Sequence, residues 1–196
     1  RKDFPPNDFK EFIAYAKANQ AKMQYGSAGA GSGSHTCAIL LDGAMGTKVT
    51  HVPYRGGGAV LPDLIGGSIQ AGMIEFSTAL PLHQGGKVRI LGSASAKRSA
   101  LAPDVPTMIE GGVKDFLAAS YVGILAPAKT PPAIIATLEA ALVKGLSEPA
   151  TVEKFRAIGA EMATPEQMTA AGFARFLKAE YEASGEAARI ADIKKQ

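Results

Sequence analysis

Between Met23 and Gln84 one pattern recurs three times: a short apolar run, a loop of small residues, then a helical stretch. The runs cover 23–27, 49–54 and 71–76. The loops are Gly29-Ala-Gly31-Ser-Gly33-Ser34, Arg55-Gly56-Gly57-Gly58 and Ser77-Thr78. The helical stretches cover 34–45, 59–65 and 77–84. This repetition is the signature of βαβ units on a mainly parallel sheet. A fourth run, 89–93, is expected to be a strand lying with those at Met23 and Val49. The fold class is therefore α/β, with the sheet flanked by helices at 34–45 and 59–65. In such sheets ligands bind beyond the carboxyl ends of the strands, where these loops gather.

The first loop carries the most chemistry. Its glycines allow positive φ and let a ligand approach the main chain. Ser32 or Ser34 suits the cap of the following helix. A helix start presents unpaired N–H groups and partial positive charge, which fit a carboxylate or phosphate. A tight turn with no ligand has the same sequence. Tyr54-Arg55-Gly56 adds an aromatic ring and a guanidinium beside the second loop, which suit a planar carboxylate. A solvent-facing arginine is the plainer account of Arg55.

Other chemistries fit less well. The first loop lacks the third glycine of a dinucleotide fingerprint, and no acidic residue follows near 49–54. No Walker lysine follows it either. Ser34-His35 suggests a hydrolase, but neighbours at a helix start point apart and no Gly-x-Ser-x-Gly elbow exists. His51 and His83 lack metal-ligand spacing to other donors. Cys37, the single cysteine, excludes an internal disulfide and reads as a buried thiol. A net charge of +3 without a Lys/Arg cluster does not suggest nucleic acid. No apolar run reaches transmembrane length.

The remaining elements follow from caps and periodicity. Asp8-x-x-Glu11 opens a helix whose buried face is Phe9, Phe12, Ile13 and Ala16. Gly46 ends the helix at 34–45. Thr107 is expected to cap a short helix ending at Gly111-Gly112. A strand is expected at 121–125. Thr130 then caps a long helix with Pro131 at its first position and Ile134, Ile135, Leu138, Leu142 and Leu146 on one face. A shorter helix stops at Gly159. Thr164-x-x-Gln167 opens the last one, which carries Met168, Phe176, Leu177 and Tyr181. The chain is expected to fray beyond Glu186. Composition shifts near residue 118, from glycine loops and strands to helices.

Taken in order, the motifs resemble those of the periplasmic solute-binding receptors of tripartite tricarboxylate transporters, the Bug receptors. They are Tyr25-Gly-Ser-Ala-Gly-Ala-Gly-Ser-Gly-Ser-His35, His51-Val-Pro-Tyr-Arg-Gly56, Asp63-Leu-Ile-Gly-Gly67, Ala79-Leu-Pro81 with Gly86-Lys87, Ser95-Ala-Lys-Arg-Ser99, Pro103-Asp-Val-Pro-Thr107 and Gly123-Ile-Leu-Ala-Pro127. The resemblance implies a periplasmic-binding-protein-like fold of type II: two α/β domains closing on a small organic carboxylate. It implies a periplasmic receptor that hands its ligand to membrane transporter subunits, with no catalytic residues, metal or cofactor. Ligand-lining residues carried over by position are Ser27, Ala28, Gly29, Gly31, Ser32, Ser34 and His35; Tyr54, Arg55 and Gly57; and Phe76, Ser77 and Thr78. Family members carry further residues before the segment matching Arg1. The expectation is thus that 1–118 is most of the second domain and 119–196 returns to a first domain whose N-terminal part is absent. Weak binding and self-association of such a piece are expected too. Where the family often has Asp-Asn, this chain has Ile74-Glu75, which sets an amino-acid ligand in doubt. The alternatives are an α/β enzyme using the glycine loop for a phosphorylated substrate, and a receptor that presents its liganded form to a sensor.

Overall fold

The computed structural model describes residues 1–118 and 120–190. They group into two compact units, the first Arg1–Ser120 together with 187–190 and the second Tyr121–Glu186.

The first unit is built on three parallel strands, β1 (Gln24–Ser27), β2 (Thr50–Pro53) and β3 (Ala71–Gly72), in the order β2-β1-β3. Tyr25 pairs with His51 and with Ala71, and Gly26 with Val52 and Gly72. Side chains alternate across a strand. Met23 and Tyr25 therefore enter one core, with Phe9, Phe12 and Ala16 of α1 (Phe9–Asn19) and Ala38, Leu41 and Met45 of α2 (Gly33–Met45). Gly26 and Val52 face the opposite side, where Val60, Leu64, Ile69 and Val88 form a second core. A Cβ on Gly26 would stand 2.6 Å from Val60 Cγ1 and 2.9 Å from Ile69 Cδ1, so only glycine fits beneath them.

The helix ends follow the local signals. Asp8 Oδ1 accepts the Glu11 N–H at 2.8 Å, and Glu11 reaches back to the Asn7 N–H. Ser32 caps α2, and Gly46 closes it at φ 68° with its N–H on the Asp42 and Gly43 carbonyls. A 3-10 turn, Gly57–Val60, leads into α3 (Leu61–Gly66), and α4 (Phe76–Gln84) begins directly after Glu75.

Several expectations are corrected. The run 71–76 pairs only at Ala71–Gly72. Beside it β1 gives way to the glycine loop, leaving no extended neighbour. The run 89–93 is not a strand of the sheet: β3 takes the place beside β1. The Ile90 N–H goes to His83 Nδ1 and that of Ser93 to the Pro106 carbonyl. Ser93 makes one isolated parallel bridge to Thr107. Thr107 and Glu110 do form reciprocal capping bonds, but around a single turn rather than a helix.

In the second unit 121–125 is not a strand, because no neighbouring strand among the described residues takes its N–H and C=O groups. The ring of Tyr121 instead stands edge-on to Phe176 at 4.8 Å. Helix α5 (Pro132–Ser147) starts one residue later than expected, with Pro131 as cap and Pro132 in the first turn. It is followed by α6 (Pro149–Ala157) and α7 (Ala170–Ile190). The capping box of Thr164 and Gln167 forms, yet it closes a turn before α7. Thr169 Oγ1 accepts the Gly172 N–H instead, so Met168 precedes the helix. The polar tail beyond Glu186 runs in α7 up to Ile190, and 191–196 lie outside the described residues.

Candidate functional site

Because the three strands are parallel and adjacent, their carboxyl ends lie side by side. Three backbone segments leave from there: the glycine loop after β1, Arg55–Gly58 after β2, and the start of α4 after β3. The Gly56 N–H donates to the Ala28 carbonyl at 3.1 Å. A Cβ on Gly29 would lie 3.1 Å from the Tyr54 carbonyl oxygen, and one on Gly57 would lie 3.6 Å from Ile74 Cβ. The fold thus brings together the three segments singled out by their small residues.

The glycine loop holds its own shape. Ser34 Oγ accepts the Ala28 N–H at 2.9 Å, and the Ser32 hydroxyl donates to the Gly29 carbonyl at 2.7 Å. Ser32 also caps the His35 N–H. Gly29 and Gly31 take φ of 134° and 77°, conformations open to glycine. Gly33 takes an ordinary φ with open space around it. After these bonds are made, the N–H groups of Ala30, Gly33 and Ser34 have no partner among the described residues. Nor do those of Gly57 and Gly58, or of Phe76 and Ser77. The N–H groups of Gly33 and Ser34, and of Phe76 and Ser77, sit at the starts of α2 and α4, where the helix dipole adds positive potential. Such a cluster suits a small anion and supplies no nucleophile.

The expected side chains divide. Arg55 is exposed and forms no ion pair among the described residues. Ser77 is exposed and Thr78 half-buried. Phe76 packs against Leu80, Ala102 and Val105 of a third cluster, so its side chain supports α4. The Tyr54 hydroxyl donates to Asp63 Oδ2 at 2.7 Å, which holds its pKa up at about 12. Ser27 is fully buried and lies beneath the loop: its Oγ accepts the Gly29 N–H and meets His51 Nε2 at 2.6 Å. That distance is one a nucleophile and base would have, but no substrate reaches a hydroxyl with no exposed surface. Ser34 and His35 do not bond to each other. His35 Nδ1 accepts the Gly31 N–H at 3.0 Å.

The place of His51 beneath the glycine loop was not legible in the sequence. It faces the same side of the sheet as Tyr25, and its ring stacks on His35 at 3.8 Å. Only the register of β1 and β2 reveals that. Burial, then His35, pushes the His51 pKa down to about 4, and burial lowers that of His35. Cys37 is half-buried, and burial with nearby Glu75 pushes its thiol up to about 12, which disfavours the thiolate. No group of three or more His, Cys, Asp or Glu among the described residues could hold a metal. A recess of about 1030 Å³ lies in the second unit against α5, lined by Ile135, Ala136, Ala140 and Val143. It is mostly apolar and lacks the converging N–H groups of the strand ends.

A parallel sheet with small-residue loops gathered at its carboxyl end, flanked by helices, defines an α/β unit of the periplasmic-binding-protein kind. The profile of the tripartite tricarboxylate transporter family receptors matches residues 1–190. The chain belongs to that family. A UPF0065 protein of Agrobacterium vitis is 35% identical over 182 residues, covering 93% of this chain and 53% of the relative. The periplasmic binding protein BugD superposes with a TM-score of 0.88 at 33% identity, over 100% of this chain and 65% of BugD. MatC of Rhodopseudomonas palustris with bound malate superposes with a TM-score of 0.86 at 30% identity, over 95% of this chain and 64% of MatC. The chain spans about half the length of the curated relatives it matches. Among the described residues no helix is long and apolar enough to cross a membrane.

Proposed function

We propose that this chain is the ligand-holding part of a periplasmic receptor that captures a small organic carboxylate for a tripartite tricarboxylate-type transporter. The observation that carries the reading is the set of unpartnered N–H groups gathered at the ends of β1, β2 and β3. A carboxylate meeting them gains charge-assisted hydrogen bonds and the favourable ends of α2 and α4. Gly29, Gly31, Ser32, Ser34, His35, Gly57, Ser77 and Thr78 line that place, and Arg55 is free to swing over it. Ser27, Tyr54 and Phe76 hold it from behind. In this reading 1–118 forms the second domain's wall and 119–196 belongs with the first domain. The bound malate of MatC makes a C4 dicarboxylate the first ligand to try. The receptor performs no chemistry and passes its ligand unchanged to membrane subunits.

Calorimetric titration with malate, adipate, citrate and inorganic phosphate tests this. Saturable binding of a carboxylate that is recovered unchanged is expected. Conversion of the ligand, or binding of phosphate with no carboxylate bound, would overturn it.

A further inference from the structure

We propose that His35 is an acid-sensitive latch on the glycine loop, closed while its Nδ1 accepts the Gly31 N–H and opened when that nitrogen gains a proton. Gly31 sits at the loop's tip, and its N–H has His35 Nδ1 as its partner at 3.0 Å. An imidazole nitrogen that accepts a hydrogen bond carries no hydrogen, so neutral His35 is held with its proton on Nε2. Protonation places a donor against a donor, and the bond is lost. The tip is then held by Ser32, whose N–H and hydroxyl both go to the Gly29 carbonyl, while Ser34 of α2 still takes the Ala28 N–H at the loop's base.

The second histidine sharpens the response. The two rings lie 3.8 Å apart and nearly parallel, at 14°. A charge on either ring is set against the other. His51 Nε2 meets the buried Ser27 Oγ, which also accepts the Gly29 N–H. Ser27, which bonds both the N–H and the carbonyl of Gly29, thereby links His51 to the loop at Gly29. The groups facing the pair are Tyr25 and Ser27 from β1, His51 itself from β2 and His35 from α2. Tyr25 stays neutral, its pKa raised to about 12 by burial and Asp42. Asp42 is engaged by Thr47 and the Val49 N–H. Among the described residues no carboxylate bonds either ring; the one histidine that meets a carboxylate is His83. Burial lowers both pKa values, which keeps the latch closed at neutral pH.

The latch itself does not depend on the ligand; that its opening releases the ligand rests on the receptor reading above. Nitrogen-15 spectra of the ligand-free chain test it between about pH 7.5 and pH 4. The expected results are an Nε2–H tautomer for His35 at the upper end and a Gly31 amide signal that moves as His35 titrates. In His35→Gln the amide oxygen accepts at every pH, and the Gly31 signal stays still. An Nδ1–H tautomer, a Gly31 amide indifferent to His35 titration, or the same titration in His35→Gln would overturn the proposal. Malate titrated into both proteins reads the consequence, since the ligand's own ionisation affects both alike. Affinity of the unmodified chain should fall about tenfold more on acidification than that of His35→Gln. A latch seen in spectra of a chain that binds no malate would leave the latch standing and remove the receptor reading.

Discussion

Gly31 and Gly33 look equivalent in the sequence, and the structure separates them. Gly31 needs its φ of 77°, whereas Gly33 has ordinary φ and open space. Gly31→Val should therefore cost about 1–2 kcal/mol in urea unfolding, because a β-branched residue resists left-handed backbone. Gly33→Val should stay within about 0.5 kcal/mol. Both should weaken carboxylate binding, since each adds bulk where the ligand approaches. Gly26 is a third case, invisible as special until the second core is seen above it. Gly26→Ala should cost about 1–3 kcal/mol by overpacking against Val60 and Ile69. His51 gives a pH dependence. Its folded pKa of about 4 lies below the unfolded value, so the unfolded chain binds the extra proton between the two. Stability is present above the unfolded value of about 6.5 and is lost as pH falls toward 4. The thermal midpoint should drop across that window, and His51→Phe should flatten the drop. An unchanged slope in His51→Phe would assign the acid sensitivity elsewhere.

Elements defined by neighbours in sequence were legible, and those defined by distant neighbours were not. Ser32, Gly46 and the Asp8–Glu11 pair mark helix ends because a cap is a bond across a few residues. The order of β1 and β2 and the gathering of the loops followed from the βαβ repeat. The run 89–93 has the composition of a strand, but β1 was already paired on both sides, by β2 and β3. The run 121–125 likewise lacks a partner that composition cannot supply. In the site, backbone N–H groups were legible because glycines and caps announce them. The inward positions of Ser27 and Phe76 and the Tyr54–Asp63 bond were not, because they depend on packing between elements. The cap is testable: Ser32→Ala removes acceptors and donors at the start of α2 and should cost about 1 kcal/mol in urea unfolding.

At the scale of the molecule, the second unit leaves apolar groups in solvent. Val122 is 100% exposed, Leu125 74% and Ile124 68%, and Ile134 and Leu138 on α5 are half exposed. Exposed apolar side chains in such number favour association. Light scattering of the chain should show mass rising with concentration, and a strictly monomeric solution would count against that expectation. In the first unit, the N–H groups at the ends of three parallel strands are proposed to hold a small carboxylate. An amide-shift titration with malate measures this most directly. Saturable shifts concentrated at Ala30, Gly33, Ser34, Gly57, Gly58, Phe76 and Ser77 are expected. Shifts absent from those residues at saturating malate, or clustered instead on α5, would contradict it.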